Sequence, residues 1–468
     1  MPPFVFRIMQ RPPLTHAHVS FSEICREEKK FPALVRRGIC LLKVLRDNGS
    51  FLQHCLQKRL NFTAMLSLHE ILTDWAAGKN TRNIIAWQQS AIANPKLYQY
   101  LSWQYAENFV GKMLKANSRL FPAAVLPAPD IQKSNPDSIL GTLDTNSRQP
   151  LEQPFQMHGE LYLQKQKELL PGLWNGMTYR MTTLTITETI KLNCALGNYF
   201  QTLKSCDILE FELLAMFRQR FLQVIDFYEF TEALKLRSIL HQQGNPLTFD
   251  CGRNASIGIS TFIIYAEKNS YRALLRTVYP QNMPGRRILH TVPSMMMQPV
   301  SNAFEEEFSV THNVYREYLE EIFEISEVEV STGKNSFDYF YEFPDLQLLQ
   351  MLETEGSAEL YLTGIAFDLL KLRPEICILL FIKDPAWIEN HRTGKRWKNQ
   401  RLSKINIDEP FSAADFAAGR ECGRLVSIQL GKEFEFPNSL LKTEYFTPPG
   451  IAAVMLGIEM ARNAVWQL

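Results

Sequence analysis

Several things are missing from this 468-residue chain, and each absence narrows its class. No apolar run approaches the ~18 residues that cross a bilayer, so a membrane partner is not expected. The opening stretch MPPFVFRIMQRPP is broken by prolines and has no signal-peptide core, so a cytoplasmic location is expected. Charge of one sign is not in excess: 50 Lys/Arg face 49 Asp/Glu, which gives no global pull toward nucleic acid or membrane. The eight cysteines are scattered without a CxxC pair, and no His/Cys cluster has zinc-ligand spacing. They read as reduced, mostly buried thiols. Cys251 has no His/Asp motif beside it to make it a nucleophile. There is no P-loop, no GxGxxG and no repeat of fixed period.

What is present suits a large globular protein: 46% apolar and 21% charged residues, enough for sizeable cores. Residues 1–60 carry eleven Lys/Arg against four Asp/Glu. Leucines at helical spacing run through Phe31–Phe62, and a helical pattern with Trp75, Trp87 and Trp103 follows. Residues 1–126 are read as a mostly helical region. Its basic start suggests either nucleic-acid contact or a helical cap and homo-oligomerisation layer with a solvated face. Residues 127–154, rich in Pro, Asp, Asn and Ser, are read as a linker.

Beyond it the periodicity is mixed. Met177–Thr189, Ile257–Ala266, Tyr271–Val278, Ile288–Met297, Leu360–Phe367, Ile376–Ile382 and Leu425–Leu430 read as strands. The turn Glu267-Lys268-Asn269-Ser270 predicts a hairpin. Ile208–Tyr228 reads as a helix. Thr447 before Pro448 predicts the cap of a long closing helix. The fold class is α+β.

The stretch NVYREYLEEIFEI, 313–325, concentrates acid on one helix. Val314, Tyr318, Ile322 and Ile325 share an apolar face, while Glu317, Glu320, Glu321 and Glu324 share an arc of about 100°. Glu317, Glu320 and Glu321 stand at i, i+3 and i+4, close enough to meet on one patch, and Arg316 stands four before Glu320. A solvated helix face is the plainer reading of such a pattern. A divalent cation held by hard oxygen ligands is the other.

Arg316-Glu317-Tyr318-Leu319-Glu320-Glu321 resembles the core of the Nudix box, R-E-hydrophobic-x-E-E. Residues 175–468 are similar, more closely, to the Nudix-like domain attached to some bacterial transcriptional regulators, by way of Val292-Pro293-Ser294-Met295, Leu196-Gly197-Asn198-Tyr199-Phe200 and Pro448-Pro449-Gly450. The resemblance implies a Nudix-like mixed sheet sandwiched by helices over 155–468. It also implies Mg²⁺ or Mn²⁺ held by Glu317, Glu320 and Glu321, with Arg316 orienting the carboxylates. The activity implied is cleavage of a phosphoanhydride bond in a nucleoside diphosphate-linked substrate. Arg286 and Arg287 are candidates to hold substrate charge. Trp397, in the basic run HRTGKRWKNQRLSK, is a candidate to stack a base.

The chain also departs from the box. The span from Met295 to Arg316 is longer by about seven residues, Phe308 stands where the family has Glu, and Phe323 replaces a Gly. The expectation therefore divides between a metal-dependent hydrolase and a catalytically silent module that senses a nucleotide-type small molecule. His290, in an apolar strand, is expected to be packed; His312 falls near the helix start.

Overall fold

The computed structural model describes residues 67–79, 81–106, 111–128, 135–146, 155–217, 226–278, 288–325, 339–408 and 425–466. The chain divides into two units, Met1–Met65 and Leu66–Leu468, and the described residues belong to the second. The basic start, the leucine-spaced segment 31–62, Arg286 and Arg287 lie outside the described residues.

Helices α1 (Leu68–Ala76), α2 (Thr81–Ile92) and α3 (Pro95–Ala106) come first. Strands β1 (Lys112–Ala116), β2 (Arg119–Pro127) and β3 (Leu140–Asp144) lead to α4 (Phe155–Leu169), β4 (Met177–Ile186) and β5 (Ile190–Asn198). A helical turn at Tyr199–Thr202 and a π-helical turn at Leu203–Asp207 run into α5 (Ile208–Met216), then α6 (Phe227–Ala233) and α7 (Lys235–Gln243). Strands β6 (Gly258–Glu267), β7 (Ser270–Val278), β8 (Ile288–Thr291) and β9 (Ser294–Met296) precede α8 (Val310–Phe323) and α9 (Pro344–Thr354). The last elements are β10 (Ala358–Asp368), β11 (Arg373–Ile382), α10 (Ala386–Thr393), β12 (Arg396–Trp397), β13 (Gln400–Arg401), β14 (Ile407–Asp408), β15 (Leu425–Gln429) and α11 (Pro448–Trp466).

The main sheet runs β1-β2-β10-β11-β6-β7-β15-β14, with β8 added on β7 and β9 on β6. It is mixed, because β11 and β6 are parallel while β6 and β7 form the antiparallel hairpin. Period-2 alternation decides which side chains go to which face. Phe262, Ile264, Ala273, Leu275, Leu379 and Phe381 pack against α11. Their neighbours Ile263, Tyr265, Leu274, Leu380 and Ile382 pack against Tyr318, Leu349 and Trp387 of α8, α9 and α10. Both faces are covered, which is why β6 and β11 read as nearly unbroken apolar runs. A third core joins the helices α1–α7 to the small sheet β3-β5-β4, with Trp75, Tyr162 and Phe211 in mutual ring contact. Among the described residues, no helix is long and apolar enough to cross a membrane.

Three stretches differ from the sequence reading. Residues 112–126 are not helical: β1 and β2 form a hairpin, and β2 joins β10 at the edge of the main sheet. Phe121, Ala123 and Val125 belong to the core under α11, whereas Ala124 belongs to the core on the other side. Two-residue alternation there outweighs the helical rhythm before it. The 127–154 stretch contains structure as well. Pro136–Ile139 is a 3-10 turn and Leu140–Asp144 pairs in parallel with β5. The single predicted strand 288–297 is split: β8 pairs with β7 and β9 with β6. Pro293, which has no N–H to give to a ladder, stands between them.

Candidate functional site

The acidic helix α8 is fixed at its start by two caps. Ser309 Oγ accepts the His312 N–H at 3.1 Å. Asp137, from the supposed linker, accepts the N–H groups of Val310 and Thr311 at 2.5 and 3.3 Å. These carboxylate and hydroxyl oxygens satisfy donors that a helix leaves open at its first turn. The loop before the helix is stitched by Glu307, fully buried, which accepts the N–H groups of Val300 and Ser301 at 2.7 and 2.9 Å. Phe308 instead packs at an angle against Tyr179, ring centroids 5.2 Å apart.

The apolar face of α8 is as its spacing implied: Val314, Tyr318 and Ile322 are buried. The charged face is only partly solvated: Glu317 and Glu321 are buried, whereas Glu324 is exposed. Arg316, 1% exposed, donates to Gln298 O at 3.2 Å, Asn313 Oδ1 at 3.3 Å and Glu317 Oε1 at 3.3 Å. Its Nε lies 3.9 Å from Glu320 Oε1. Glu321 accepts a hydrogen bond from Arg276 on one oxygen and the Ser294 N–H, at 2.8 Å, on the other. Arg276 also donates to Ser294 O at 3.1 Å.

A divalent ion needs carboxylate oxygens turned toward it. Here Glu317 is turned to Arg316 and Glu321 to Arg276 and a backbone amide. Among the described residues, no group of three His, Cys, Asp or Glu stands together as a metal-binding set. In this arrangement the residues do not fit the implied metal.

A cavity of about 370 Å³ opens beside Arg276 and Ser294, the partners of Glu321, across the ends of β7, β8, β9 and β11, the tip of the β10–β11 hairpin and the start of α11. Its cations are Arg276, Lys371 and Arg373; its acids are Glu210, Asp368 and Glu375. Apolar lining comes from Ile288, Met295, Met296, Leu370 and Phe446. Lys371 is paired with Asp207 at 2.7 Å and Glu210 at 3.7 Å, and these carboxylates hold its ammonium well above the usual lysine range against the cost of burial. At the helix end, Thr447 Oγ1 accepts the Gly450 N–H at 3.1 Å, as the capping pattern predicted.

Ser294 ties the cavity to the acidic helix. Its Oγ is 3.3 Å from His290 Nε2 and 3.3 Å from Ser260 Oγ, and Ser260 donates to Glu375. Through its N–H it reaches Glu321. Burial, with the nearby Arg276 cation, lowers the His290 imidazole to about 3, so it is neutral near pH 7. Burial raises the Glu375 carboxyl to about 7, against opposing help from Ser260 and Arg373. Gly258 makes room for it: a Cβ there would lie 1.9 Å from Glu375 Oε2.

This gives a pH prediction. The folded-state value of Glu375 lies above its ordinary 4.5, so its contribution to stability is complete below about 4.5 and is lost as pH rises through about 7. Glu375→Gln, which cannot titrate, is expected to gain stability relative to the parent over that window. The gain is at most about 3–4 kcal/mol, from ~1.4 kcal/mol per unit over the rise from 4.5 to about 7. Urea midpoints of the two proteins between pH 5 and 8 measure it. A difference that does not change with pH would show that Glu375 titrates normally.

The other expected groups fall elsewhere. Trp397 does not line the cavity; it sits on the β12–β13 hairpin, packed against the core under α8. His312 packs on Phe340, centroids 4.8 Å apart. Cys194, Cys206, Cys251 and Cys377 are buried and unbridged. Sequence reasoning missed Arg276, Ser294, Lys371, Arg373 and Glu375. Glu375 in RPEICILLFI carried a signal: a carboxylate leading directly into an apolar strand run. No protein-family model matches the chain, and no curated protein matches it.

Proposed function

We infer that residues 155–468, together with the β1–β2 hairpin that joins their sheet, form a Nudix-like module that binds a nucleotide-type anionic small molecule in this cavity without hydrolysing it. The observation carrying this reading is the internal neutralisation of Glu321 by Arg276 and the Ser294 amide, beside a cavity with three cations. Metal-dependent cleavage needs Glu321 as a ligand; a binding site needs only the cations and the apolar wall. About 370 Å³ lies within the usual size of small-molecule pockets. Arg276, Lys371 and Arg373 would meet phosphate oxygens, with Arg offering planar bidentate donors. Met295, Met296 and Phe446 would cover a base. Glu375, half-protonated near neutrality, would donate to or accept from the base edge.

The test is a panel of dinucleotides, nucleotide sugars and nucleoside triphosphates against the full chain, each with Mg²⁺, with Mn²⁺ and with chelator. A ligand is expected to raise stability by ~2.7 kcal/mol at a hundredfold excess over Kd. The shift should be equal with and without metal, and no nucleotide should be released. Metal-dependent release of a nucleotide, abolished by Glu321→Gln, would establish the hydrolase instead.

A further inference from the structure

The basic run 391–404 is not used by the cavity. It forms the end of α10 and the β12–β13 hairpin, whose tip is Lys398-Asn399. Both tip residues have positive φ, 45° and 65°, so the turn is a tight two-residue hairpin that holds a lysine in a conformation it seldom adopts. The root is fixed in the core. His391 is buried, 3.1 Å from Ser403 O, and Asp345 accepts the Ser403 N–H at 2.7 Å and its hydroxyl at 2.8 Å. Leu402 and Ile405 are buried behind it. The tip is thus a rigid projection, with its backbone order already provided.

Of its six cations, Arg392 is paired with Glu267. Lys395, Arg396, Lys398, Arg401 and Lys404 are exposed. Among the described residues, none of these five forms an ion pair with a carboxylate. Trp397 stands between them, partly exposed, with the Lys398 ammonium 4.3 Å from its ring centre. Five cations in ten residues repel one another unless an anion of matching length lies along them. A ring in their midst gives a planar group something to stack on, and the lysine already over that ring is free to move to a phosphate.

We propose that this hairpin binds single-stranded nucleic acid, with a base stacked on Trp397 and phosphates held by Lys395, Arg396, Lys398, Arg401 and Lys404. Cations and a stacking ring together favour a single strand over an acidic peptide, which has no base, and over a duplex, whose bases already stack on each other.

The experiment measures binding of an oligothymidylate of about twelve nucleotides to the full chain across a salt series. Each phosphate contact steepens the slope of log K against log salt by ~0.7 for a single strand. Lys398→Gln with Arg401→Gln should reduce that slope by about 1.4 from the parent's value. Trp397→Ala should weaken binding about tenfold or more and leave the slope unchanged, since stacking releases no ions. Comparing variant with parent removes any contribution from the basic segment 1–60. Lys398 and Arg401 are exposed, so the melting curve of the double variant should match the parent. Trp397 also packs against the core, so Trp397→Phe, which keeps a stacking ring, should bind nearly as the parent and separate stacking from a packing defect. An unchanged slope in the double variant, or an unchanged affinity in Trp397→Ala, would overturn the proposal. So would equal or tighter binding of the duplex or of polyglutamate.

Discussion

Arg316→Met is expected to cost about 3–5 kcal/mol of stability, the usual penalty for removing one partner of a buried ion pair. The guanidinium side chain is fully buried and answers three acceptors: the Gln298 carbonyl of the preceding loop, and the Asn313 and Glu317 side chains of its own helix. Methionine fills much of the volume, so the loss measures polar groups left without a donor rather than a cavity. Asn313 also accepts the Gln298 N–H at 3.3 Å and donates to Glu307 O and Ser309 O at 3.1 and 2.8 Å. Arg316 therefore locks the loop 297–309 onto α8. Urea unfolding read at an unchanged slope gives the value. Adding Glu317→Gln to Arg316→Met should restore part of it, because the stranded charge is then gone and neighbouring sites do not add. A loss below about 1 kcal/mol would mean that the pair behaves as a solvated surface bridge.

The same residue shows where sequence reading reaches and where it ends. Spacing placed Val314, Tyr318 and Ile322 on one buried face, because helical periodicity is a local property. It placed the β6–β7 turn and the cap at Thr447 for the same reason: each is decided within a few residues. The fate of the charged face was not local. Whether Glu321 meets water, a metal or an arginine depends on Arg276, 45 positions away, and on the Ser294 amide, 27 away. Asp137 looked like part of a linker because its neighbours are polar and irregular. Its role as a helix cap comes from a contact 173 positions distant. The cavity is assembled from one to three residues of each of several strands, and no spacing rule joins Arg276, Ser294 and Glu375. Of the departures from the Nudix-like pattern, Phe308 lies in the loop that Glu307 stitches, and Phe323 stands beside a left-handed cap at Glu324, φ 56°.

Arg276→Gln and Glu321→Gln break the same ion pair, yet they are expected to act in opposite directions on ligand. Both variants lose the bridge between β7 and α8, so their stability losses should be similar, within the few kcal/mol of a largely buried pair. Only Arg276→Gln also removes a cation from the cavity. Its ligand affinity should fall by about thirtyfold or more, the equivalent of ~2 kcal/mol for losing one side of a desolvated charge contact. Glu321→Gln leaves that cation in place and frees the guanidinium from its internal anion. A phosphate then meets no competing carboxylate, so affinity should hold or rise. Metal-dependent hydrolysis makes the contrary demand, because Glu321 would be an ion ligand and its replacement would abolish turnover while Arg276 mattered less. Calorimetric titration of both variants with the best ligand of the panel therefore separates a cation that serves the cavity from a carboxylate that serves a metal. If Glu321→Gln bound more weakly than Arg276→Gln, the Glu321 carboxylate rather than the arginine would be the group that meets the ligand.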